Sequence, residues 1–239
     1  MSRLLKASVM LIWILSGCTS FTQSGFNAPV AGIEGYKDFV PVDPLESPQV
    51  TYYDRTGKQV TKAWSQLSND EIRKLLPNIY TDISVAKRDS SGNLTYLVSK
   101  ATAEAGNYRV VMDYTKYRQE IAHEPGTKKE LGLGRIGVGL RMTAEVQTNK
   151  ANIELSSILA IGIAAVTDQL RGALSVHVIG IGTADVDNLT VTNARIDETS
   201  IQKTLEGMAA IKSKIADSGT TLTPQVLWVR PTARAVAWA

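Results

Sequence analysis

Residue types that can do chemistry are few in this sequence, and the most suggestive motif lies in a context that favours structure. A GxGxxG pattern spans residues 132–137. In dinucleotide-binding proteins such glycines lie between a strand and a helix whose N-terminus faces the pyrophosphate. Here they lead directly into a long alternation of apolar and polar residues, so we interpret them as places where a strand bends or approaches another backbone closely. No cofactor is expected from this motif.

The two histidines, His123 and His177, lack the neighbours that metal binding or general-base catalysis needs. His123 has Glu120 and Glu124 nearby, but one imidazole with two carboxylates makes a weak ligand set. His177 lies between two valines in a strand pattern and is expected on the face opposite to theirs. Neither histidine predicts a metal site.

Other catalytic patterns are missing from the sequence, which has no GxSxG serine motif, no HExxH zinc motif and no phosphate-binding P-loop. The acidic residues Asp185 and Asp187 are typical of a turn, although together with Asn188 they also form a weak calcium ligand set. The chain is therefore predicted to be non-enzymatic, with neither a metal nor a small-molecule cofactor.

Cys18 is the single cysteine of the chain, and an export signal precedes it. Arg3 and Lys6 give a basic start, and roughly ten apolar residues follow, whereas a membrane-spanning helix needs about twenty. Residues 15–18, Leu-Ser-Gly-Cys, resemble the lipobox of bacterial lipoproteins. The resemblance implies that residues 1–17 are a signal peptide and that Cys18 becomes a lipidated N-terminus carrying acyl chains such as palmitate. The alternative is an ordinary secretory peptide with an incidental cysteine.

Composition excludes several classes of protein. A single cysteine permits neither an internal disulfide nor a cysteine-based zinc site. With 44% hydrophobic and 21% charged residues the mature chain is expected to fold around a core. The formal net charge of +3 falls to +1 when Arg3 and Lys6 leave with the signal peptide. The basic footprint of a nucleic-acid-binding protein is therefore absent.

The elements that must position any site are expected after residue 48. Residues 18–48 contain Ser, Gly, Asn and Pro and predict an extended tether. Ser68, followed three residues later by Glu71, is a capping box that begins a short helix. Residues 49–239 are predicted to form one periplasmic domain, with a subdivision near residues 118–132.

The two halves of this domain differ in periodicity. Residues 79–117 predict a three-stranded antiparallel meander, and residues 118–130 predict a charged loop. The second half alternates strand and helix patterns, at residues 136–148, 155–170, 175–183, 201–215 and 226–229. We therefore predict an α+β fold, in which the meander is followed by a strand-helix-strand-helix-strand unit in a mixed sheet with its helices on one face.

The first of the two predicted helices carries an ambiguous apolar pattern. Its apolar residues recur at helical spacing and form one stripe, which consists of Leu155, Ile158, Leu159, Ile163, Val166 and Leu170. Residues 158–166 are nevertheless apolar on nearly every side, which is typical of a helix buried in the fold or against a partner.

Together these features predict a bacterial outer-membrane lipoprotein whose domain faces the periplasm. By the family resemblance, a residue other than aspartate after the lipidated cysteine favours the outer membrane, and Thr19 follows Cys18. We expect a structural or interaction subunit of a cell-envelope assembly, such as a secretion, conjugation or appendage complex. Its partners would be the membrane, through the anchor on Cys18, and proteins or further copies of the chain. Trp238 near the C-terminus is a candidate partner contact. The alternative is a binding lipoprotein for a lipid, glycan or peptide.

Overall fold

The computed structural model describes residues 39–97, 102–124, 126, 129–182 and 186–230. Cys18, Asp185 and Trp238 lie outside these residues, as does the side chain of Asp187. The predictions made for the signal peptide, the lipid anchor, the calcium ligands and the C-terminal tryptophan therefore remain predictions.

Fourteen strands and three α-helices occur in the described residues. In chain order they are β1 Val40–Glu46, β2 Gln49–Tyr53, β3 Gln59–Ala63, α1 Asn69–Leu75, β4 Asn78–Arg88, β5 Leu94–Tyr96, β6 Thr102–Ala103, β7 Gly106–His123, β8 Glu130–Thr148, β9 Ile153–Glu154, α2 Ile158–Val166, β10 Leu170–Ile179, β11 Ile181–Gly182, β12 Val191–Arg195, α3 Glu198–Ala216, β13 Thr221–Leu222 and β14 Gln225–Arg230.

An eight-stranded sheet forms the centre of the molecule. Its main path is β1-β14-β8-β7-β4-β5, and β10 and β12 extend it beside β8. The β7–β8 hairpin is its spine, with a register that runs from Gly106 opposite Thr148 to His123 opposite Glu130. Three smaller pairs accompany the sheet: β2 with β3, β6 with β9, and β11 with β13.

Two strands, β10 and β14, pair with different parts of the same edge of β8. β10 pairs with residues 139–148 of β8, whereas β14 pairs with residues 133–137. The chain segments cross at Gly180, whose carbonyl accepts a hydrogen bond from the Thr223 N–H at 2.8 Å. Gly180 has a φ of 64°, and a Cβ at this position would collide with the carbonyl oxygen of Thr223. Glycine is therefore required where the two strands meet.

The main core lies on the sheet face that carries Val138, Leu140 and Met142, which are all fully buried. α2 and α3 pack over this face with their own buried residues in the same cluster. Small residues allow the approach: a Cβ on Gly207 of α3 would lie 3.3 Å from Leu140 Cδ1. Similarly, a Cβ on Gly162 of α2 would lie 3.1 Å from Ile201 of α3.

The helix start predicted at Ser68 is confirmed. The Ser68 hydroxyl accepts the Glu71 N–H at 3.3 Å, and the Glu71 carboxylate accepts the Ser68 N–H at 2.8 Å. At α3 the Asp197 carboxylate accepts the Ser200 N–H at 2.8 Å. Each cap provides a partner for an N–H that the first helical turn leaves without one.

The prediction of a mixed sheet is wrong, because every strand pair in the described residues is antiparallel. The prediction assumed that a helix between two strands carries the chain across the sheet to a parallel neighbour. Instead, β10 turns back antiparallel along β8 after the nine-residue helix α2. The fold is thus mostly antiparallel β structure with three α-helices, richer in β structure than the α+β class suggests.

The charged loop predicted for residues 118–130 is wrong for most of its length. Residues 118–123 continue β7, and residues 130–132 already belong to β8. Arg118 and Glu120 are only partly exposed there and form an ion pair at 3.2 Å. Polar residues are typical of loops, but in this stretch they form an ion pair on a strand that is partly covered.

Two further boundaries differ from the prediction. The predicted tether ends at residue 48, whereas residues 40–46 already pair with β14 as strand β1. The helix predicted to reach residue 170 ends at Val166, and Leu170 begins β10. Asp168 has a φ of 55°, a left-handed conformation that ends the helical path.

Candidate functional site

The glycine pattern at residues 132–137 lies within β8, which continues to Thr148 with no helix after the glycines. Glycines occur where β8 faces β7 because the two backbones approach each other closely. A Cβ on Gly137 would collide with the Lys116 carbonyl oxygen, and one on Gly139 with the Tyr114 carbonyl oxygen. This geometry fits the interpretation as strand packing, and it lacks the helix N-terminus that would bind a pyrophosphate.

The two histidines lie far apart in the fold. His123 is exposed at the end of β7, and His177 is exposed on β10, directly opposite Arg141 in the register. The described residues contain no group of three or more histidine, cysteine, aspartate and glutamate side chains that is arranged to hold a metal ion. The structure therefore does not bring the histidines together into a site.

A buried ion pair lies on the sheet face opposite the main core. Asp113 of β7 and Arg141 of β8 face each other, with Nε–Oδ1 and Nη2–Oδ2 distances of 2.8 and 2.6 Å. Asp113 is 0% exposed and Arg141 is 6% exposed. The Trp228 indole N–H donates to Asp113 at 2.7 Å, and Arg141 donates to the carbonyl oxygens of Leu227 and Val42. This network links β7 and β8 to β14 and β1.

A second ion pair, Asp82 with Arg135, lies on the same face and joins β4 to β8. The Arg135 guanidinium lies 4.2 Å from the ring centroid of Phe39 and 5.2 Å from that of Tyr117. Such stacking stabilises a cation over the faces of aromatic rings. Among the described residues, Asp82 Oδ2 and Ser84 Oγ are buried without a hydrogen-bond partner. This side of β4 therefore contains polar atoms that the described chain leaves unsatisfied.

Two carboxyl groups have a raised pKa. Burial raises the pKa of Asp82, and the charge of Asp113 acts in the same direction against the lowering effect of Arg135. Burial also raises the pKa of Glu120, against the lowering effects of the Arg118 charge and the Thr51 N–H. Each of these carboxylates already contacts an arginine. The Asp82 pair joins β4 to β8 and the Glu120 pair lies within β7, which favours a structural role over that of a general base.

The sequence pattern alone does not predict these buried ion pairs. Asp113 and Arg141 occupy the polar positions of alternating strands, and such positions are expected to face water. The same alternation occurs whether the second face is exposed or covered. Opposite charges on strands that pair are the one signal available, and using it requires knowing that β7 pairs with β8.

An apolar groove lies between α2 and α3 on the outside of the helix layer, and we call it the α2–α3 groove. It has a volume of about 460 Å³, and Leu159, Ile163 and Val166 of α2 line it together with Ile201 and Leu205 of α3. The three α2 side chains are between 56% and 68% exposed. The groove is open to solvent along the helices.

Only half of the apolar stripe that the helical spacing indicates is buried. Leu155, Ile158 and Leu170 are buried, whereas the three α2 side chains of the groove are exposed. Ile161 and Ala164, which lie outside the stripe, are buried with Ile158. Because every side of α2 is apolar, periodicity does not identify which face is covered. In the sequence, the apolar residues on every side of the helix are what indicates an exposed apolar surface.

No family model, curated protein or solved structure matches this chain. Across the part of the chain that the structure describes, no helix combines the length and the apolar character needed to cross a membrane. The function has to be argued from the surfaces of the molecule.

A second groove lies beside the β2–β3 hairpin, with a volume of about 610 Å³. Its lining combines Tyr52 and Tyr53 with polar and basic residues, among them Lys74, Arg118 and Gln119. Arg118 holds the hairpin in place by donating to the Thr51 carbonyl oxygen at 2.9 Å. We call this the hairpin groove.

Proposed function

We propose that this chain is a bacterial outer-membrane lipoprotein that serves as a non-enzymatic interaction subunit of a cell-envelope assembly, of the secretion, conjugation or appendage type. The observation that carries the proposal is the α2–α3 groove. Leu159, Ile163 and Val166 recur at a spacing of four and three residues, so they form one stripe on the outside of α2. Burying a side chain of this size stabilises a complex by about 1.5–3 kcal/mol. The stripe is therefore suited to docking a protein.

The form of the groove favours a protein partner over a small ligand. Small-molecule sites enclose most of the ligand in a concave pocket. Here the three α2 aliphatic side chains stand more than half exposed on a helix surface, and the polar residues Glu198 and Gln202 also line the groove. An apolar centre with a polar rim is the usual arrangement of a protein interface.

The membrane part of the proposal depends on the sequence around Cys18. A lipoprotein carries two or more acyl chains, and each buried methylene adds about 0.8 kcal/mol to membrane binding. Such an anchor holds a folded domain stably at the membrane surface. The exposed aliphatic stripe of α2 is then available for a neighbouring protein.

Substitution of Ile163 by glutamate tests the groove. The full chain would be expressed in a Gram-negative envelope and extracted in mild detergent, and its co-purifying proteins would be identified. We expect Ile163→Glu to lose these proteins and to remain membrane-bound and folded, because the side chain is 66% exposed. Ile121→Glu is the matched control, since Ile121 is an exposed aliphatic on β7, outside the groove. Identical partners in wild type and Ile163→Glu would contradict the proposal.

Substitution of Cys18 tests the anchor separately. We expect Cys18→Ser to release the protein from membranes or to leave its precursor uncleaved, because the acyl chains have no attachment point. Fractionation of cells and the mass of the mature N-terminus would show the change. Unchanged membrane retention of Cys18→Ser would contradict lipidation and would leave the groove result unaffected.

The hairpin groove supports a second candidate, a binding lipoprotein for a glycan or peptide. Tyrosine faces beside arginine, lysine and glutamine suit a polar ligand that also has apolar surfaces. Co-sedimentation with purified peptidoglycan measures this function. If it holds, Tyr53→Ala lowers the sedimented fraction, because Tyr53 is 73% exposed at the groove, whereas Ile163→Glu leaves the fraction unchanged.

A further inference from the structure

Over the first half of strand β4, one edge is left unpaired by the described strands. On one side it pairs with β7 along its whole length, from Asn78 opposite Tyr117 to Arg88 opposite Asn107. On the other side β5 pairs only with residues 86–88, and one further hydrogen bond joins the Leu97 N–H to the Val85 carbonyl oxygen. Within the described residues, no strand pairs with this side of residues 78–84. We call this stretch the β4 edge.

The backbone polar groups that point outward at the β4 edge can be assigned. The Val85 carbonyl points away from β7, since it accepts the Leu97 N–H at 2.8 Å. In an antiparallel sheet the N–H and C=O of one residue point to the same side, and this side alternates along the strand. Ile79, Thr81 and Ile83 therefore present their N–H and C=O groups outward. These are the groups to which a further strand would hydrogen-bond.

The side chains of the β4 edge do not protect it. Native edge strands usually carry exposed charges, prolines or bulges that prevent pairing with other chains. Here Asp82 is the one charged residue of the stretch, and it is buried in its ion pair with Arg135. Ile79, Tyr80 and Ile83 are instead between 38% and 58% exposed. An edge whose exposed large side chains are uncharged and β-prone is suited to strand addition.

We propose that the β4 edge pairs antiparallel with the β4 edge of a second copy of this chain, with Thr81 on the two-fold axis. In this register Thr81 lies opposite Thr81 of the partner subunit, and Ile79 lies opposite Ile83 of the partner subunit. All three pairs then join residues whose backbone groups point outward, so that each pair exchanges two hydrogen bonds.

The register is also complementary in its side chains. Ile79 and Ile83 lie on one face of the strand, so two isoleucine pairs form across the axis, and β-branched pairs stabilise neighbouring strands. On the other face Tyr80 lies opposite Asp82 of the partner subunit. This pairing brings a phenol O–H donor to the side of β4 on which Asp82 Oδ2 lacks a partner. A two-fold contact of this kind is the commonest way in which identical subunits associate.

This inference goes beyond the proposed function, because it concerns a different surface from the α2–α3 groove and a different partner. One strand pair buries little area compared with a stable interface of about 1,600 Å². Attachment of both copies to one membrane surface raises their effective concentration and favours such a weak contact. The pairing is therefore best tested in intact membranes.

Disulfide trapping of Thr81→Cys tests the register. In a hydrogen-bonded antiparallel pair the two Cα atoms lie about 5.5 Å apart, within the range of about 4.4–6.8 Å that a disulfide needs. Wild type has no other cysteine than Cys18 and serves as the background. After mild oxidation of membranes, we expect Thr81→Cys to form a species of twice the chain mass that disappears on reduction.

Ile79→Cys is the matched control on the same edge. In the proposed register the two copies of residue 79 lie roughly 14 Å apart, since four residues separate them along the strand at about 3.4 Å each. We expect at least about tenfold less dimer from Ile79→Cys alone than from Thr81→Cys. Chains with Ile79→Cys and chains with Ile83→Cys, expressed together, should cross-link to each other. Equal dimer from Thr81→Cys and Ile79→Cys would overturn the register.

Other occupants of the β4 edge give different products. A cross-linked species of another mass would identify a different protein on the edge, and a Thr81→Cys chain that stays monomeric would show that no second copy pairs there. Either result overturns the proposal. Thr81→Lys, which places like charges opposite each other, should abolish cross-linking between Ile79→Cys and Ile83→Cys chains that also carry it. Ile163→Glu should leave the cross-link unchanged, so failure of the groove and failure of this edge are distinguishable.

Discussion

Asp113 and Arg141 share two charge-assisted hydrogen bonds in the interior of the sheet, and Trp228 adds a third to the carboxylate. A complete buried pair of this kind adds little stability compared with well-packed apolar residues. Removal of one partner is costly, because it leaves the other charge buried and uncompensated. The pair therefore specifies how β1 and β14 join β7 and β8, since each of these strands contributes a group to it.

Substitution of Asp113 by asparagine measures this dependence. The change conserves the shape of the side chain but leaves the Arg141 guanidinium without a counter-charge. We expect the free energy of unfolding to fall by about 3–5 kcal/mol. Urea denaturation followed by circular dichroism measures the change.

Glu145→Gln is the matched control for Asp113→Asn. Glu145 contacts Arg88 and Arg109 on the same sheet but is 38% exposed. Ion pairs that solvent reaches contribute at most about 1 kcal/mol. An equal loss of stability in the two variants would contradict the importance of burial.

Asp82 makes the stability depend on pH in a defined direction. Its pKa is raised in the folded protein by burial, whereas aspartates of an unfolded chain titrate near about 3.9. Between these two values the folded state binds more protons, so the free energy of unfolding falls as the pH rises through this window and then levels off. We expect this fall to be smaller in Asp82→Asn, with the remainder due to Glu120, whose pKa is also raised by burial. Urea midpoints measured from pH 4 upward give the slope.

Asp54→Asn supplies the opposite sign as a control. Hydrogen bonds from the Thr56 hydroxyl and from the Lys58 and Thr56 N–H groups lower the pKa of Asp54. Its contribution is therefore present above the unfolded pKa and is lost as the pH falls through the folded pKa. If the stability curve of Asp82→Asn ran parallel to that of wild type, the assignment to Asp82 would be wrong.

At the scale of elements, the β7–β8 hairpin depends on glycines of β8 that face β7. A Cβ on Gly137 would collide with the Lys116 carbonyl oxygen and lie 2.8 Å from Tyr117 Cα, and both are backbone atoms that move little. We expect Gly137→Ala to destabilise the protein by at least about 2 kcal/mol. In Gly182→Ala the new Cβ meets its nearest atom, Thr221 Cβ, at 3.6 Å, so a change within about 0.5 kcal/mol is expected. Thermal unfolding of both variants decides between these effects.

The elements that sequence predicts best are those fixed by local chemistry. The cap at Ser68 and the long alternation of β8 both appear where the pattern places them. The orientation of α2 does not, because an apolar residue such as Ile163 has the same local character whether it faces the core or solvent. Exposure of this helix is a property of the packing around it, which no window of sequence contains.

The arrangement of the whole sheet is less accessible to sequence reasoning than its elements. Antiparallel return of β10 along β8 and the sharing of that edge with β14 depend on the crossing at Gly180 and Thr223. These residues are 43 positions apart in the chain, so no local pattern links them. The two grooves are likewise products of the assembled fold, whereas the proposed lipid anchor at Cys18 depends on a local motif and is predicted from sequence alone.

The continuous β7–β8 hairpin predicts that the molecule unfolds as one unit. Trp64 precedes the boundary that the predicted subdivision places near residues 118–132. It is buried, and its indole N–H donates to the Ser47 hydroxyl at 3.3 Å. Trp228 follows the boundary and is buried in β14. Because the hairpin joins both regions through one sheet, we expect tryptophan fluorescence and far-ultraviolet circular dichroism to give the same urea midpoint, as for a two-state domain. Trp64→Phe and Trp228→Phe, each also carrying Trp238→Phe, isolate the two probes. Within either variant, a fluorescence midpoint that differs from its circular dichroism midpoint would show that the two halves unfold separately, as the subdivision near residues 118–132 requires.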